Sequence, residues 1–313
     1  MKLRRLVTAV AGGLGTAAVA NRTLARRADP LDPPLEGHQG TYRWRGFDVA
    51  YAEAGDPADR DVLLLHGVHA AASNKEFDQV FDQLAKTYHV VAPDLPGFGR
   101  SARPPVNYTA PLYVDFVTAF ADDFTDDAIC VASSLTGAYA ALAQRETGAF
   151  SRLELICPTA DTAKQRPWLR ALLRSPLVGT ALFNALASKR SIRRFNDRDG
   201  YYSEVSYTER DVDHQWQAAH QQGARFAPAS FVAGYLDPDA DLGAELAALD
   251  VPVTLVWGRD AKVTPLSDGE ELADRGDTRL VVFDETRLLP HAEHPGPFLD
   301  VLFDELAPME GPG

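Results

Sequence analysis

The amino-acid sequence predicts an α/β protein in which helices cover both faces of a mostly parallel β-sheet. Short continuous runs of Val, Ile and Leu recur along the chain, and amphipathic stretches of helix length separate them. Such runs are typical of strands that are buried on both faces. One interval between two runs is too long for a simple crossover, which indicates a helical insertion. The 313 residues can form one large domain of this class.

The predicted elements follow one another in a regular order. The first strand region is YRWRGFDVAYAE, and the apolar runs that follow it are DVLLLHG, HVVAPDL, DAICVASS, RLELICP, VPVTLVWG and TRLVVFD. We expect helices over residues 74–88, 111–126, 135–147, 267–273 and 295–306. The long interval after RLELICP predicts a helical cap over residues 161–241. The core of the domain then consists of residues 41–160 and 242–313.

The first 27 residues differ from the rest of the chain, because they contain six basic residues and no acidic one. Their weakly apolar stretch LVTAVAGGLGTAAVA is shorter than the ~20 residues that span a bilayer. The arginines that follow it oppose export, although the pattern also resembles a signal peptide. We therefore expect a cytoplasmic protein, or one held weakly at the cytoplasmic face of a membrane through residues 1–27. Residues 28–40 are rich in proline and read as a linker.

Composition and charge exclude several classes of function. The net charge of −13 and the absence of basic runs after residue 28 argue against a nucleic-acid partner. The two cysteines, Cys130 and Cys157, lie inside apolar runs, which indicates buried free thiols and excludes a disulfide framework or a four-cysteine zinc site. No phosphate-binding glycine motif follows a strand. A small-molecule substrate or ligand is the expected partner.

Three motifs lie where predicted strands end. LLLHGVHAAAS runs from a buried strand into His66-Gly67, where glycine allows the backbone to turn its amides into a cleft. VVAPDLPGFGRS ends in a proline- and glycine-rich turn that Asp94 can anchor. ICVASSLTGAYA reads as strand, tight turn and helix, with Ser134 at the turn. A sharp nucleophile elbow requires small residues two positions before and after the serine, here Ala132 and Thr136, and Thr136 stands where glycine is usual. The alternative interpretation is that the serines only cap the following helix.

Taken together and in this order, the three motifs resemble the α/β-hydrolase fold superfamily over residues 41–310. The runs PVTLVWGRDAKVTP and LLPHAEHP extend the resemblance to the places where that superfamily carries its catalytic acid and histidine. The resemblance implies an eight-stranded sheet with a helical cap, a nucleophile at Ser134, and an oxyanion hole made by the amides of Val68 and Leu135. It implies no cofactor.

Two positions, those of the catalytic acid and histidine, depart most from the superfamily pattern. After the seventh strand, Trp257, Gly258 and Pro265 match, but the position of the acid is occupied by Ala261, with Asp260 one residue earlier. After the eighth strand, the position of the catalytic histidine is occupied by Leu288. A leucine cannot transfer a proton, so the general-base contribution of about 10²–10⁴-fold needs another source.

Other residues could replace the missing groups. His291 is the most favoured base on the sequence, with Asp260 or Asp161 as the residue that orients it, although His291 also fits a purely structural role in its loop. His69, beside the expected oxyanion hole, is a second candidate base and otherwise a residue of the cleft.

Aromatic residues of the cap predict an apolar pocket above Ser134, and Trp216 and His220 are expected to line it. His291, Glu293 and His294 lack the spacing of a metal motif, so a metal site is not expected. The sequence leaves two functions open. One is a serine hydrolase for a small, largely apolar ester-like substrate, with a non-standard acid and base. The other is an inactive homologue that binds a ligand or a partner.

Overall fold

The computed structural model describes residues 19, 21–24 and 27–306. One sheet of eight strands runs through the molecule. In chain order the strands are β1 (His38–Trp44), β2 (Phe47–Ala54), β3 (Asp61–Leu65), β4 (His89–Pro93), β5 (Ala128–Ser133), β6 (Phe150–Ile156), β7 (Val253–Gly258) and β8 (Arg279–Phe283). Their order in the sheet is β1-β2-β4-β3-β5-β6-β7-β8.

The sheet is mostly parallel, as predicted. Strand β2 pairs antiparallel with both β1 and β4, and every pair from β4 across to β8 is parallel. The carboxyl ends of β3, β5, β6, β7 and β8 therefore meet at one edge of the sheet. In open α/β sheets this edge is where ligands bind.

The helices of the core follow the predicted ranges closely, with one exception. They are α1 (Phe81–Leu84), α2 (Ala110–Phe124) and α3 (Leu135–Thr147) in the first part of the chain. In place of the single helix predicted over residues 74–88, the chain forms a 3₁₀ helix, Asn74–Phe77, followed by the short α1. The backbone N–H of Asn74 donates to Asp94 Oδ1 at 2.8 Å, and its side-chain amide donates to the carbonyl of Ala92 at 2.9 Å. These bonds fasten the 3₁₀ helix to the end of β4, which separates it from α1.

All the regular secondary structure between β6 and β7 is helical, as the long interval in the sequence predicts. They are α4 (Pro167–Arg174), α5 (Val178–Leu186), α6 (Lys189–Phe195), α7 (Glu209–His220), α8 (Phe226–Val232) and α9 (Leu242–Ala247), with short π and 3₁₀ helices, Asn196–Gly200 and Glu204–Ser206, between α6 and α7. The remaining helices are α10 (Leu266–Gly276), α11 (Pro290–Glu293) and α12 (Pro295–Leu306). Helix α9 packs on α3 and α10 of the core. The exact limits of the cap, residues 161 and 241, stay a prediction.

Buried apolar side chains form a separate cluster on each face of the sheet. On one face, Tyr113 and Phe116 of α2 pack with Tyr139 of α3. On the other face, Phe77 of the 3₁₀ helix packs with Phe298 of α12. Both cysteines are buried and free, as predicted. The fold class expected from the sequence is therefore confirmed.

The expected membrane-associated helix lies mostly outside the described residues, so it stays a prediction. Residues 21–24 are helical, and Asn21 exchanges hydrogen bonds with the cap through the carbonyl of Leu177 and the side chain of Asn184, both at 3.1 Å. Within the part of the chain that the structure describes, no helix is long and apolar enough to cross a membrane.

Candidate active site

Ser134 lies at a strained turn between β5 and α3. Its backbone has φ 56° and ψ −130°, a conformation that residues with a side chain rarely adopt. Hydrogen bonds hold the turn: the N–H of Ser134 donates to the carbonyl of Ile156 at 2.8 Å, and the N–H of Gly137 donates to the carbonyl of Ser134 at 3.0 Å. The Ser134 side chain makes no capping hydrogen bond to α3. This geometry is typical of a nucleophile elbow rather than of a helix cap.

Thr136 stands where a glycine is usual in such an elbow, and its hydroxyl has a structural partner. It donates a hydrogen bond to the carbonyl of His66 at 2.8 Å, which ties the start of α3 to the end of β3. His66 in turn accepts a hydrogen bond from the N–H of Leu95 at 3.0 Å through Nε2. Burial lowers the pKa of His66 to about 4, so its imidazole is neutral near pH 7. The His-Gly turn and the elbow are thus one hydrogen-bonded unit.

Gly67 brings the predicted oxyanion-hole segment against the elbow. A Cβ on Gly67 would lie 3.2 Å from Ser133 Oγ, which would have to shift slightly, and 3.4 Å from Ser134 Cβ, which is contact distance. Val68 follows directly, and Leu135 is the first residue of α3, where backbone amides have no partner within the helix. The two amides that the sequence predicts for the oxyanion hole therefore belong to segments that meet at Gly67.

A cavity of about 400 Å³ opens above Ser134. Its apolar wall comes from the core and the cap and includes Val68, Phe195, Phe231, Leu288 and Leu289. Its polar wall contains Lys75, which forms ion pairs with Asp78 at 2.5 Å and with Asp211 at 2.8 Å. A cavity of this size admits a small molecule.

Glu76 is a residue of this cavity that sequence reasoning missed. It lies on the 3₁₀ helix Asn74–Phe77, and its side chain is only 8% exposed. Its Oε2 atom accepts a hydrogen bond from the N–H of Gly67 at 3.0 Å, and the hydroxyl of Ser133 also donates to the carboxylate. Burial raises the pKa of Glu76 to about 7, although these two hydrogen bonds act in the opposite direction. The sequence offers one signal for it, an acidic residue nine positions after the His-Gly turn.

His291 lies behind Glu76 and does not line the cavity. It is fully buried between Phe77 and Phe298, whose ring centroids lie 5.2 and 5.8 Å from its own. Its Nε2 atom is 3.6 Å from Oε1 of Glu76, which is longer than a hydrogen bond. Burial lowers the pKa of His291 to about 3. Among the residues that line the cavity, Glu76 is the one whose side chain lies near the His291 ring nitrogen.

The positions where the superfamily carries its catalytic acid and histidine, Ala261 and Leu288, lie in one apolar cluster. Ala261 packs there with Cys157 and Trp257, and Leu288 packs against the same group. The indole N–H of Trp257 donates to the carbonyl of Thr264 at 2.9 Å, and burial raises the pKa of the Cys157 thiol to about 12. Neither a carboxylate nor an imidazole is present where the superfamily pattern places them.

The two acids predicted to orient a histidine lie apart from His291. Asp260 is exposed and lies outside the cavity lining, and its backbone N–H donates to the carbonyl of Thr286 at 2.9 Å. Asp161 is exposed at the cavity wall, where its N–H contacts Thr159 Oγ1 at 3.4 Å. No contact joins either carboxylate to a histidine within the described residues.

Two histidines do line the cavity, His69 and His214. The ring of His69 stacks on Phe195, with centroids 6.3 Å apart, and its Nδ1 accepts a hydrogen bond from the N–H of Ala71 at 3.3 Å. His214 Nε2 lies 3.1 Å from Ser73 Oγ. Burial lowers the pKa of each to about 4. Both rings are neutral near pH 7.

The cap contributes pocket residues other than the two that the sequence predicts. Trp216 and His220 stack on each other with centroids 4.4 Å apart, outside the cavity lining. His214 and Gln215 line the cavity in their place. Along the residues that the structure describes, no group of three or more His, Cys, Asp or Glu side chains is arranged to hold a metal ion.

Parts of the chain are similar in sequence to known hydrolases. The chain is 34% identical over 98 residues to a 2-hydroxy-6-oxo-6-(2'-aminophenyl)hexa-2,4-dienoic acid hydrolase of Metapseudomonas resinovorans, which is 30% of this chain and 32% of that protein. A lipase of Psychrobacter immobilis is 41% identical over 59 residues, which is 19% of this chain and 18% of the lipase. These matches cover no more than about a third of the length of either relative.

A similar fold occurs in solved structures. A serine hydrolase involved in carbazole degradation superposes with a TM-score of 0.70 at 19% identity, over 87% of this chain and 99% of the other. The family model described as "Alpha/beta hydrolase family" matches residues 62–301, which include the His-Gly turn, the elbow, the cap and the loop that carries His291. The chain therefore belongs to the alpha/beta hydrolase family.

Proposed function

We propose that the protein is a serine hydrolase that cleaves a small ester-like substrate at Ser134. The strained backbone of Ser134 at the floor of the cavity is the observation that carries this proposal. Strain of this kind costs about 1–3 kcal/mol, and it persists where a side chain must project from a tight turn into a site. A helix cap or a packing residue has no need of it.

The neighbouring segments supply the groups that such a reaction needs. Ser134 Oγ attacks the carbonyl carbon of the substrate, and negative charge develops on the carbonyl oxygen. The amides of Val68 and Leu135 stabilise this charge, as the resemblance to the superfamily implies. Removing one donor of this kind typically costs about 10²–10³ in rate.

The walls of the cavity favour a small acyl group that is largely apolar. Phe231, Leu288 and Leu289 form an apolar wall, and the volume of about 400 Å³ limits the size of the molecule. Lys75 carries two ion pairs, so its charge is largely balanced by Asp78 and Asp211. We therefore expect short-chain esters to react faster than long-chain ones.

The apolar cluster around Ala261 and Leu288 favours a second function, the binding of a ligand without catalysis. A homologue that has lost its acid and histidine retains the cavity and its strained serine only as remnants. In that case Ser134 would be no more reactive than an ordinary serine, because no base removes its proton.

Labelling with a fluorophosphonate probe separates the two functions. The probe reacts with activated serines, and mass spectrometry locates the adduct. The proposal predicts an adduct at Ser134 in the wild-type protein and in Ser133→Ala, and none in Ser134→Ala, which should also lose hydrolysis of p-nitrophenyl acetate. A folded wild-type protein without an adduct and without esterase activity would contradict the proposal and favour the second function.

A further inference from the structure

The surroundings of Glu76 set it apart from the other carboxyl groups of the site. Its Oε2 atom and Ser134 Cβ each lie 3.4 Å from the point that a Cβ on Gly67 would occupy. The carboxylate oxygen thus lies within twice that distance of Ser134 Cβ, and both residues line the same cavity. Its Oε1 atom is buried without a hydrogen-bond partner. Leaving such an atom unpaired costs about 1–3 kcal/mol, and this one faces His291, whose Nε2 atom lies 3.6 Å away and is itself unpaired.

The remaining titratable groups are less well placed to accept the proton of Ser134. His291 is fully buried and does not line the cavity. His69 already accepts a hydrogen bond at Nδ1 and stacks on Phe195, and His214 contacts Ser73. Asp161 is exposed to solvent, and no contact joins its carboxylate to Ser134 within the described residues.

We propose that Glu76 is the general base of the Ser134 reaction, and that His291 is a positioning residue for its carboxylate. This inference rests on the proposed function. In the usual triad a histidine takes the proton of the serine and an acid orients the histidine. Here the carboxylate of Glu76 takes the proton, and the neutral imidazole of His291 orients the carboxylate.

The proton and the bonds balance at each step. As Ser134 Oγ forms a bond to the substrate carbonyl carbon, its proton passes to the Glu76 carboxylate. When the tetrahedral intermediate collapses, the bond to the alcohol oxygen breaks, and Glu76 returns the proton to the departing alcohol. Water then attacks the acyl-enzyme and gives a proton to Glu76. The bond to Ser134 Oγ breaks, and that oxygen recovers the proton from Glu76.

The groups that face Glu76 leave it ionisable near neutral pH. The Gly67 N–H and the Ser133 hydroxyl donate hydrogen bonds to Glu76, and the neutral imidazole of His291 lies 3.6 Å away. The phenol of Tyr201 is also near: burial raises its pKa, and the negative charge of Glu76 adds to this effect. The neighbouring Lys75 is paired with Asp78 and Asp211. With a pKa of about 7, Glu76 is a far stronger base than an exposed carboxylate.

The test is the pH dependence of p-nitrophenyl acetate hydrolysis by the full chain and three variants. Glu76→Gln keeps the size of the side chain and removes its basicity, so the rate should fall by about 10²–10⁴-fold. Glu76→Asp retains a carboxylate at a different reach and should recover part of that loss. Glu293→Gln is the matched control, because Glu293 is another partly buried carboxyl that accepts N–H groups from Tyr202 and Arg287, away from the cavity lining.

The acidic midpoint is the pH at which the rate reaches half of its plateau. The wild type and Glu293→Gln should have the same acidic midpoint, near 7, which is the pKa of Glu76. A folded Glu76→Gln variant with undiminished rate overturns the inference while leaving Ser134 as the nucleophile. If Glu76→Gln does not fold, the wild-type profile decides alone: a midpoint near 4 overturns the inference in favour of His69 or His214. Absence of any Ser134-dependent activity in the wild type overturns the proposed function, and the role of Glu76 with it.

Discussion

Oε1 of Glu76 lies 3.6 Å from Nε2 of His291, and among the described residues neither atom has a hydrogen-bond partner. The first residue belongs to the 3₁₀ helix after β3, and the second belongs to α11 near the end of the chain. A small movement of either side chain brings the two atoms within hydrogen-bond distance. The pair thus links the interior of the protein to the carboxylate beside Ser134.

His291→Phe is expected to shift the pH dependence of the reaction without abolishing it. Phenylalanine preserves the aromatic packing with Phe77 and Phe298 and removes both ring nitrogens. An imidazole 3.6 Å away stabilises the ionised form of Glu76 less than a hydrogen-bond donor does, so its loss should raise the acidic midpoint by less than the roughly one pH unit that one hydrogen bond is worth. The plateau rate should fall by about fivefold to tenfold.

The rate–pH profile of His291→Phe beside that of His294→Gln measures this shift. His294 lies near the carbonyl of Glu285 at 3.5 Å and does not line the cavity. A loss in His291→Phe as large as that in Glu76→Gln, present at every pH, would show that His291 itself is the base.

Glu76→Gln should become more stable relative to the wild type as the pH rises. The folded protein raises the pKa of Glu76 from 4.5 to about 7, so the folded state binds this proton more tightly than the unfolded state does. The contribution of Glu76 to stability is therefore complete below about pH 4.5 and is lost as the pH rises through 7. Over this window the wild type should lose about 3 kcal/mol relative to the variant.

Urea unfolding of both proteins at pH values from about 5 to about 8 measures this difference, within the two-state approximation. It requires no catalytic activity, so it tests the environment of Glu76 by itself. A difference in unfolding free energy that is constant with pH would mean that Glu76 titrates as an exposed carboxylate.

Restoring the superfamily pattern should rescue the loss of Glu76. Ala261→Asp with Leu288→His introduces the missing acid and histidine into the apolar cluster around Trp257. In the Glu76→Gln background, the added imidazole should recover at least tenfold in the rate of ester hydrolysis. The thermal midpoint should fall, because the new groups lose solvation in that cluster.

The double substitution without Glu76→Gln serves as the reference for this rescue. Recovery in the triple variant would show that the cavity and the oxyanion hole are intact and that only the proton acceptor has changed. A folded triple variant that stays at the rate of Glu76→Gln would contradict the placement of Leu288 at the usual base position.

Gly67→Ala should reduce activity more than stability. The added Cβ would lie 3.2 Å from Ser133 Oγ, so this hydroxyl, which donates to Glu76, must move by a few tenths of an ångström, while Glu76 Oε2 and Ser134 Cβ would be at contact distance, 3.4 Å. A misplacement of one ångström can cost about 10²-fold in rate, so this smaller shift should cost less. Gly296→Ala, where a Cβ would contact nothing within 4 Å, is the control, and its rate should equal that of the wild type. A normal rate in Gly67→Ala would count against the close arrangement around Gly67.

The sequence predicts the fold well because the signals for it are local. Continuous apolar runs mark the buried strands, and the elbow around Ser134 follows from small residues at fixed spacing. The single helix expected over residues 74–88 is wrong, because the bonds of Asn74 to Asp94 and Ala92 join parts of the chain that only the folded sheet brings together.

The candidate site is harder to predict because its chemistry depends on distant residues. Leu288 and Ala261 are recognisable in the sequence as departures from the superfamily pattern. The residues that take over the roles of the missing histidine and acid are not recognisable there. Glu76 lies in a polar stretch that reads as the exposed side of a helix, and only the turn at Gly67 places its carboxylate beside Ser134. His291 is the favoured base on the sequence. Its complete burial next to Glu76 cannot be inferred from the sequence, because it depends on packing against distant residues.

The most direct test of the account is the rate at which a fluorophosphonate labels Ser134 as a function of pH. The reaction needs only the nucleophile and its base, and mass spectrometry confirms the labelled residue. The account predicts an adduct at Ser134 whose rate of formation rises with a midpoint near 7, the pKa of Glu76. No adduct at Ser134, or a midpoint near the value of about 4 of His69 and His214, would contradict it.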